Sequence, residues 1–286
     1  MIPTIDDRSV LRLIQIALAE DIGTGDLTSE SLVDPKTSVH CILLAKDQMV
    51  LAGSPIAGLV FGEVDRSILC DWKVSEGSIV ESGTVLAHLH GPASSILTAE
   101  RTALNFLQRM SGVASLTRRY VEKIEGTGAT ILDTRKTLPG WRLLDKYAVK
   151  TGGGENHRMG LYDMVMVKDN HIAAHGSIAG AVNAVLRYFE EHGITNVKIE
   201  VETASINQVQ EALTCEGISR IMFDNFSTSD MEIGVALVDG RLETEASGGI
   251  NLDSVRSVAE TGVQYISVGA LTHSAMAADI SLDVRG

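Results

Sequence analysis

The chain has 286 residues, 44% of them apolar and 21% charged, the make-up of a soluble globular protein of one large or two modest domains. A formal net charge of −13 excludes the broad basic face that nucleic acid requires. Three scattered cysteines (Cys41, Cys70, Cys215) form no metal-binding or redox spacing, and with an acidic start (MIPTIDDRSV) and no membrane-length apolar run, the expectation is a cytoplasmic protein with neither nucleic-acid nor membrane partner.

The spacing of apolar residues predicts a helix over 6–20, capped by Asp6 or Asp7, with Val10, Leu13, Ile14, Ala17 and Leu18 on one face. EDIGTGDLTSE then breaks it. Residues 38–90 read as β-rich, because VHCILLAK, MVLAG, ILCDWKV and TVLAHLHG are short apolar or alternating runs between turn residues. Within them WKVSEGSIVESGTVLAHLHG (72–91) is similar to the hairpin of lipoyl and biotinyl carrier domains. A carrier needs a lysine at the hairpin tip, and 75–84 contains none, so the β elements are expected without the carrier function. From Ser94 to Ile124 the rhythm is helical, with Leu97, Ala103, Leu104, Leu107, Met110 and Ala114 at three- and four-residue steps and Ser94 or Ser95 as cap. Arg101 lies off that stripe.

Six strand-like runs follow: ATILDT (129–134), MVMVK (164–168), VKIEVE (197–202), RIMFD (220–224), ETEASG (243–248) and YISVG (265–269). Helix-length stretches at 176–192, 205–215, 227–238 and 251–261 separate most of them. Alternation of this kind predicts a parallel sheet, closed or nearly closed into a barrel.

In such barrels chemistry sits at the C-terminal strand ends. Here all six end in polar or glycine positions, against the apolar preference of buried strands. The region Asp133–His171 also carries seven Lys/Arg against five acids, although the whole chain is strongly acidic. A small anionic ligand explains that local excess; a solvated helix face has the same composition. Arg135, Lys136, Arg158 and Lys168 can clamp carboxylates, Arg in bidentate fashion. His157 can donate to phosphate or carboxylate, although a lone histidine is more often structural. Gly248, Gly249 and Gly269 allow backbone N–H groups close to a phosphate. Glu200 and Asp224 can hold Mg²⁺, which takes one or two carboxylates plus substrate phosphates; two solvated loop acids fit equally well.

DTRKTLPGWRLLDKYAVKTGGGENHRMGLYDMVMVKDNH (133–171) closely resembles the signature of the quinolinate phosphoribosyltransferase family. EDIGTGDLTS (20–29), AERTALNFLQRMSG (99–112), IEVET (199–203), FDNF (223–226), EASGGI (245–250) and VGALTHS (268–274) add matches in family order. The resemblance implies an α/β protein with an N-terminal α/β sandwich over 1–112 and an open, incomplete seven-stranded α/β barrel over 113–286. The last ~15 residues would pack back on the first domain, as chain termini often meet. It implies phosphoribosyl transfer from phosphoribosyl pyrophosphate to quinolinate with loss of CO₂, in NAD biosynthesis, with Mg²⁺. Lys136, Lys168, Glu200 and Asp224 would be catalytic, the two acids also holding the metal. Arg135, Lys136, His157, Arg158 and Lys168 would bind quinolinate, and Asn170, His171, Ser247, Gly248, Gly249, Gly269 and Ala270 the sugar phosphate. Arg101 would come from the neighbouring subunit of a dimer or hexamer. The alternative is a molybdenum-transport-associated relative of the same fold, disfavoured because Lys168 is present.

Overall fold

The protein is described by a computed structural model covering residues 8–285. The expected caps Asp6 and Asp7 lie outside the described residues. Helix α1 (Arg8–Ile22) buries Val10, Ile14 and Leu18, part of the expected stripe. The break after it is followed by a short helix, α2 (Leu27–Leu32). Asp26 caps it, accepting the Thr28 and Ser29 backbone N–H groups at 3.1 and 3.0 Å.

The β-rich stretch contains β1 (Ser38–Ala45), β2 (Met49–Val50), β3 (Leu69–Trp72), β4 (Ile79–Val80) and β5 (Val85–Pro92). It also holds a helix that alternation does not reveal, α3 (Ser54–Val64). Its sequence, SPIAGLVFGEV, is apolar on nearly every side, so it shows no helical period. Glu76 fixes its start by accepting the Gly53 and Ser54 N–H groups at 2.5 and 3.1 Å. Helix α4 (Ala93–Lys123) begins directly at the end of β5. Ser94 and Ser95 are therefore inside the helix rather than caps, and Ser95 donates its hydroxyl to Asp65 at 2.8 Å.

The described chain forms two compact units: 8–118, 137–153 and 271–285 in the first, 119–136 and 154–270 in the second. The first unit holds an antiparallel sheet in the order β12-β1-β5-β3, where β12 (Ile280–Arg285) runs beside β1 from His40↔Arg285 to Ala45↔Ile280. Helix α5 (Arg142–Thr151) belongs here too, docked on α4 by the stacked Phe106 and Trp141 rings and by Arg109–Asp145 at 3.1 Å. This divides the cation-rich segment. Arg142, Lys146 and Lys150 sit on α5, Lys146 fully buried, and do not contribute to the cluster described below.

The second unit is the parallel sheet. All six expected strands form: β6 (Thr130–Leu132), β7 (Met164–Val167), β8 (Lys198–Thr203), β9 (Arg220–Asp224), β10 (Glu243–Ser247) and β11 (Tyr265–Ser267). Their order is β6-β11-β10-β9-β8-β7, with β6 and β7 as the two edge strands, so the barrel is open. The seventh position is marked by one residue. Glu155 makes an isolated parallel bridge to Leu132, donating its N–H to Ile131 at 2.8 Å and accepting that of Asp133 at 3.1 Å. The glycines before it (Gly152–Gly154) leave no strand-forming run for sequence reading to find. Helices α6 (Asp169–His175), α7 (Ile178–His192), α8 (Ile206–Ala212), α9 (Thr228–Val238) and α10 (Val255–Glu260) link the strands, and α11 (Ala270–His273) follows β11. Ser177, Ser205 and Ser227 cap α7, α8 and α9.

Strand side chains alternate between the two faces. One set is apolar and buried: Val167, Ile199, Val201, Ile221, Phe223, Ala246 and Ile266. The other, Glu200, Glu202, Arg220, Met222, Asp224, Glu243, Glu245, Ser247 and Ser267, is strongly polar for a barrel interior. No helix among the described residues is long and apolar enough to cross a membrane.

Candidate active site

At the C-terminal ends of these strands lies a cavity of about 390 Å³. Arg135, Lys136, Arg158 and Lys168 give it a cationic side, Glu202, Asp224, Ser247 and Ser267 a side of oxygen atoms. Met166 and Met222 supply flat apolar wall, and Thr134 and His157 complete it. Arg135 and Lys136 follow β6, Arg158 lies in the loop before β7, and Lys168 follows β7. Residues thirty apart in sequence thus converge because parallel strands end on one rim.

The cations are poised for anions. The Arg135 Nε is buried without a hydrogen-bond partner. Arg158 donates to the Met164 carbonyl at 3.0 Å, and its guanidinium is less basic than usual because of burial and the repulsion of Arg135. Two mutually repelling guanidiniums lining one cavity call for negative charge beside them. Lys168 pairs with Glu202 of the neighbouring strand β8.

Behind this wall is a closed ionic cluster. Asp133, fully buried, accepts the His157 backbone N–H at 2.9 Å. The His157 Nδ1 lies 2.7 Å from the Arg158 backbone nitrogen, and although burial lowers its pKa, Glu200 and Glu245 raise it to about 9, which keeps a proton on Nε2. That Nε2 faces Glu200 at 3.1 Å and Glu245 at 3.4 Å, both with no solvent exposure. Arg220 Nη1 binds Glu245 at 2.7 Å, while its Nε and Nη2 bind Glu243 at 3.0 and 2.9 Å. Its guanidinium also covers the Tyr265 ring at 4.0 Å. Burial raises the Glu200 pKa, with the charge of Glu245 adding to it. Burial pushes Glu245 upward too, but His157, Ser267 and Arg220 outweigh it, and its pKa is lowered.

Of the two acids on this face of β8, the expected Glu200 does not line the cavity. Glu200 is enclosed in the cluster; Glu202, one strand repeat nearer the C-terminal end on the same face, lines the cavity. Both glutamates share that face, so depth along the strand separates them, and chemistry in this fold lies at strand ends. Glu202 and Asp224 fit Mg²⁺ as hard oxygen donors on the cavity wall; Glu200, without exposure, groups instead with His157 and Glu245, whose ligand atoms lie close enough together to hold a metal ion of their own. Glu245, Arg220 and Ser267 lay inside strands that sequence reading treated as structural.

The remaining expected residues divide. Ser247 lines the cavity. Gly248 and Gly249 follow it at φ 101° and 61°, and a Cβ at Gly248 would stand 2.3 Å from the Asn225 Oδ1. Gly269 and Ala270 lie just beyond Ser267. Asn170 and His171 are on α6, outside the cavity; His171 instead borders an apolar cleft between β7 and α7. Arg101 is exposed on α4, in the first unit.

An open parallel barrel that sets adjacent guanidiniums against a carboxylate wall is an enzyme site for small polyanions. Residues 26–111 match the family described as Quinolinate phosphoribosyl transferase, N-terminal domain, and residues 113–283 its C-terminal domain. The chain is 45% identical to quinolinate phosphoribosyltransferase [decarboxylating] 1b of Nicotiana tabacum, across 99% of this chain and 83% of that one. It is 44% identical to a probable nicotinate-nucleotide pyrophosphorylase [carboxylating] of Bacillus subtilis, across 96% and 92%. A solved nicotinate-nucleotide pyrophosphorylase from Francisella tularensis superposes with a TM-score of 0.93 at 38% identity, covering 100% of this chain and 99% of that one. The chain belongs to the quinolinate phosphoribosyltransferase family.

Proposed function

We propose that this protein joins quinolinate to phosphoribosyl pyrophosphate and releases CO₂, forming nicotinate mononucleotide and pyrophosphate on the route to NAD. The observation that carries this reading is the pair of Arg135 and Arg158 lining one cavity, with an unspent Arg135 Nε, in a chain related to the family along its whole length.

Arg135 and Arg158, with Lys136 and Lys168, hold the two carboxylates of quinolinate. This aims the ring nitrogen at the anomeric carbon of the ribose. Glu202 and Asp224 face the ribose hydroxyls and would hold Mg²⁺, which when bound neutralises charge on the leaving pyrophosphate. As pyrophosphate departs, the nitrogen lone pair forms the new C–N bond through an oxocarbenium-like transition state. As CO₂ leaves, the electron pair of the C2–carboxylate bond stays on C2, stabilised by the adjacent positive ring nitrogen, and C2 then takes a proton from water. No side chain acts as covalent nucleophile. Orientation alone can contribute about 7–11 kcal/mol, and fixed charges stabilise the transition state further.

The same reading makes the protein a homo-oligomer in which Arg101 completes a neighbour's site. It also places the protein in the cytoplasm, supported by its three free cysteines. The test is a coupled assay with quinolinate, phosphoribosyl pyrophosphate and Mg²⁺; absence of nicotinate mononucleotide and CO₂ would overturn it.

A further inference from the structure

Ser267 and His157 both border the cavity, yet neither has a hydrogen to give. The Ser267 hydroxyl donates to Glu245 Oε1 at 2.5 Å. Glu245 is fully enclosed, and its other oxygen receives Arg220 Nη1 at 2.7 Å, so it stays an acceptor-only carboxylate. Arg220 is in turn held by Glu243 and stacked on Tyr265, so this arrangement has no slack. A serine has one hydrogen and two lone pairs. With the hydrogen committed backwards, Ser267 turns only lone pairs to the cavity. His157 has its Nε2 proton turned to the same buried carboxylates and its Nδ1 occupied by the Arg158 N–H.

The two substrates of the proposed reaction offer few hydrogen-bond donors. Quinolinate near neutral pH presents two carboxylates and a ring nitrogen, all acceptors. The phosphate groups of phosphoribosyl pyrophosphate are likewise acceptors, and only its ribose 2- and 3-hydroxyls supply donors. An acceptor-only serine in a cavity otherwise rich in cations matches one feature alone. We propose, resting on the reading above, that Ser267 accepts a hydrogen bond from a ribose hydroxyl of phosphoribosyl pyrophosphate, and that Glu245 is the positioning residue that keeps it an acceptor. Glu245 does not touch substrate; it acts through Ser267.

The experiment measures binding by calorimetry in the presence of Mg²⁺, for phosphoribosyl pyrophosphate, inorganic pyrophosphate and quinolinate separately. Ser267→Ala is expected to weaken phosphoribosyl pyrophosphate about tenfold, the loss expected for one hydrogen bond with its donor left unpaired. Pyrophosphate and quinolinate should bind as in the parent. The parent should lose a similar factor on the 2-deoxy or the 3-deoxy analogue, and Ser267→Ala should bind that analogue no worse than the full ligand. Glu245→Gln should show the same selective defect, and in a Ser267→Ala background should add little to it. Equal weakening of all three ligands by Ser267→Ala, or weakening of quinolinate alone, would overturn the hydroxyl contact. A full additional penalty from Glu245→Gln in the double variant would overturn the positioning role. If Glu245→Gln does not fold, the same cycle is run with Glu245→Asp. Calorimetry needs no turnover, so a failed product assay would sink the proposed reaction while this ligand split is still read independently.

Discussion

At the scale of single residues, Lys168 separates chemistry from stability. Its side chain is 42% exposed and its ion pair with Glu202 is a surface pair, worth no more than about 1 kcal/mol. Lys168→Ala should therefore melt close to the parent while turnover falls at least about a hundredfold, as for other lost charge-stabilising groups. Near-normal turnover in a folded variant would remove Lys168 from the mechanism. The two arginines make a different claim. Arg135 and Arg158 suit adjacent carboxylates, so nicotinate, which has only one, would leave a guanidinium unpaired. Breaking a buried ion pair costs on the order of 3 kcal/mol at the lower end, which is about a hundredfold in affinity. Comparable product formation from nicotinate and quinolinate at equal concentration would show that the pair does not read the second carboxylate. On the acidic wall, Glu202→Gln and Asp224→Asn should raise the requirement for phosphoribosyl pyrophosphate and Mg²⁺ and spare quinolinate binding. The same effect from Glu200→Gln with none from Glu202→Gln would reverse the assignment of the two acids.

At the scale of elements, caps and turns carry measurable energy. Asp26 caps α2 and also accepts the Thr98 hydroxyl of α4 at 2.9 Å, tying a surface turn to the long helix. Hydrogen bonds from Ser29, together with those of Thr98 and Thr28, hold its pKa below the usual aspartate value of 3.8. A carboxylate with a lowered folded-state pKa stabilises the protein above its unfolded pKa, and that contribution fades as pH falls through the folded one. Asp26→Ala should cost about 1 kcal/mol at pH 7, and the difference from the parent should shrink below pH 3.8. Denaturant melts at both pH values check this; a cost independent of pH would show that charge is not involved. The turn after β10 is stricter. Gly248 has φ 101°, and an added Cβ would meet the Asn225 side chain at 2.3 Å and its backbone nitrogen at 2.9 Å. Strain of this kind costs roughly 1–3 kcal/mol, so Gly248→Ala should lower stability by about that amount and displace the loop beside Ser247.

At the scale of the whole molecule, the reading proposed above has Arg101 complete the site of a second copy of the chain. Arg101 is exposed on α4 of the first unit, while the cations that line the cavity belong to the second. Arg101→Ala and Lys168→Ala should each be inactive alone. Mixed under subunit exchange, they should regain activity, because a hybrid dimer rebuilds one intact site from the sound half of each chain. Persistent inactivity with exchange demonstrated by mass spectrometry would show that Arg101 does not complete a neighbour's site.

The amino-acid sequence by itself determined the strands, their parallel order of appearance and the family, because each strand is a local apolar run and the signature around Arg135, His157 and Lys168 is continuous. It also pointed to Arg135, Lys168 and Asp224, at or just beyond strand ends, and to Arg158 in the loop before β7, all of which line the cavity. It did not reveal α3, whose residues are apolar all round, nor the seventh strand position, which is a single residue beside β6. Only the tertiary structure divided the cation-rich segment, sending Arg142, Lys146 and Lys150 to α5 and leaving four cations at the cavity. Only it distinguished Glu202 from Glu200 and joined His157, Glu200, Arg220, Glu245 and Ser267 behind the wall. The physical reason is the same in each case. Local pattern gives the face on which a side chain lies, but depth along the strand and the partners met across the barrel depend on how separate strands are brought into register.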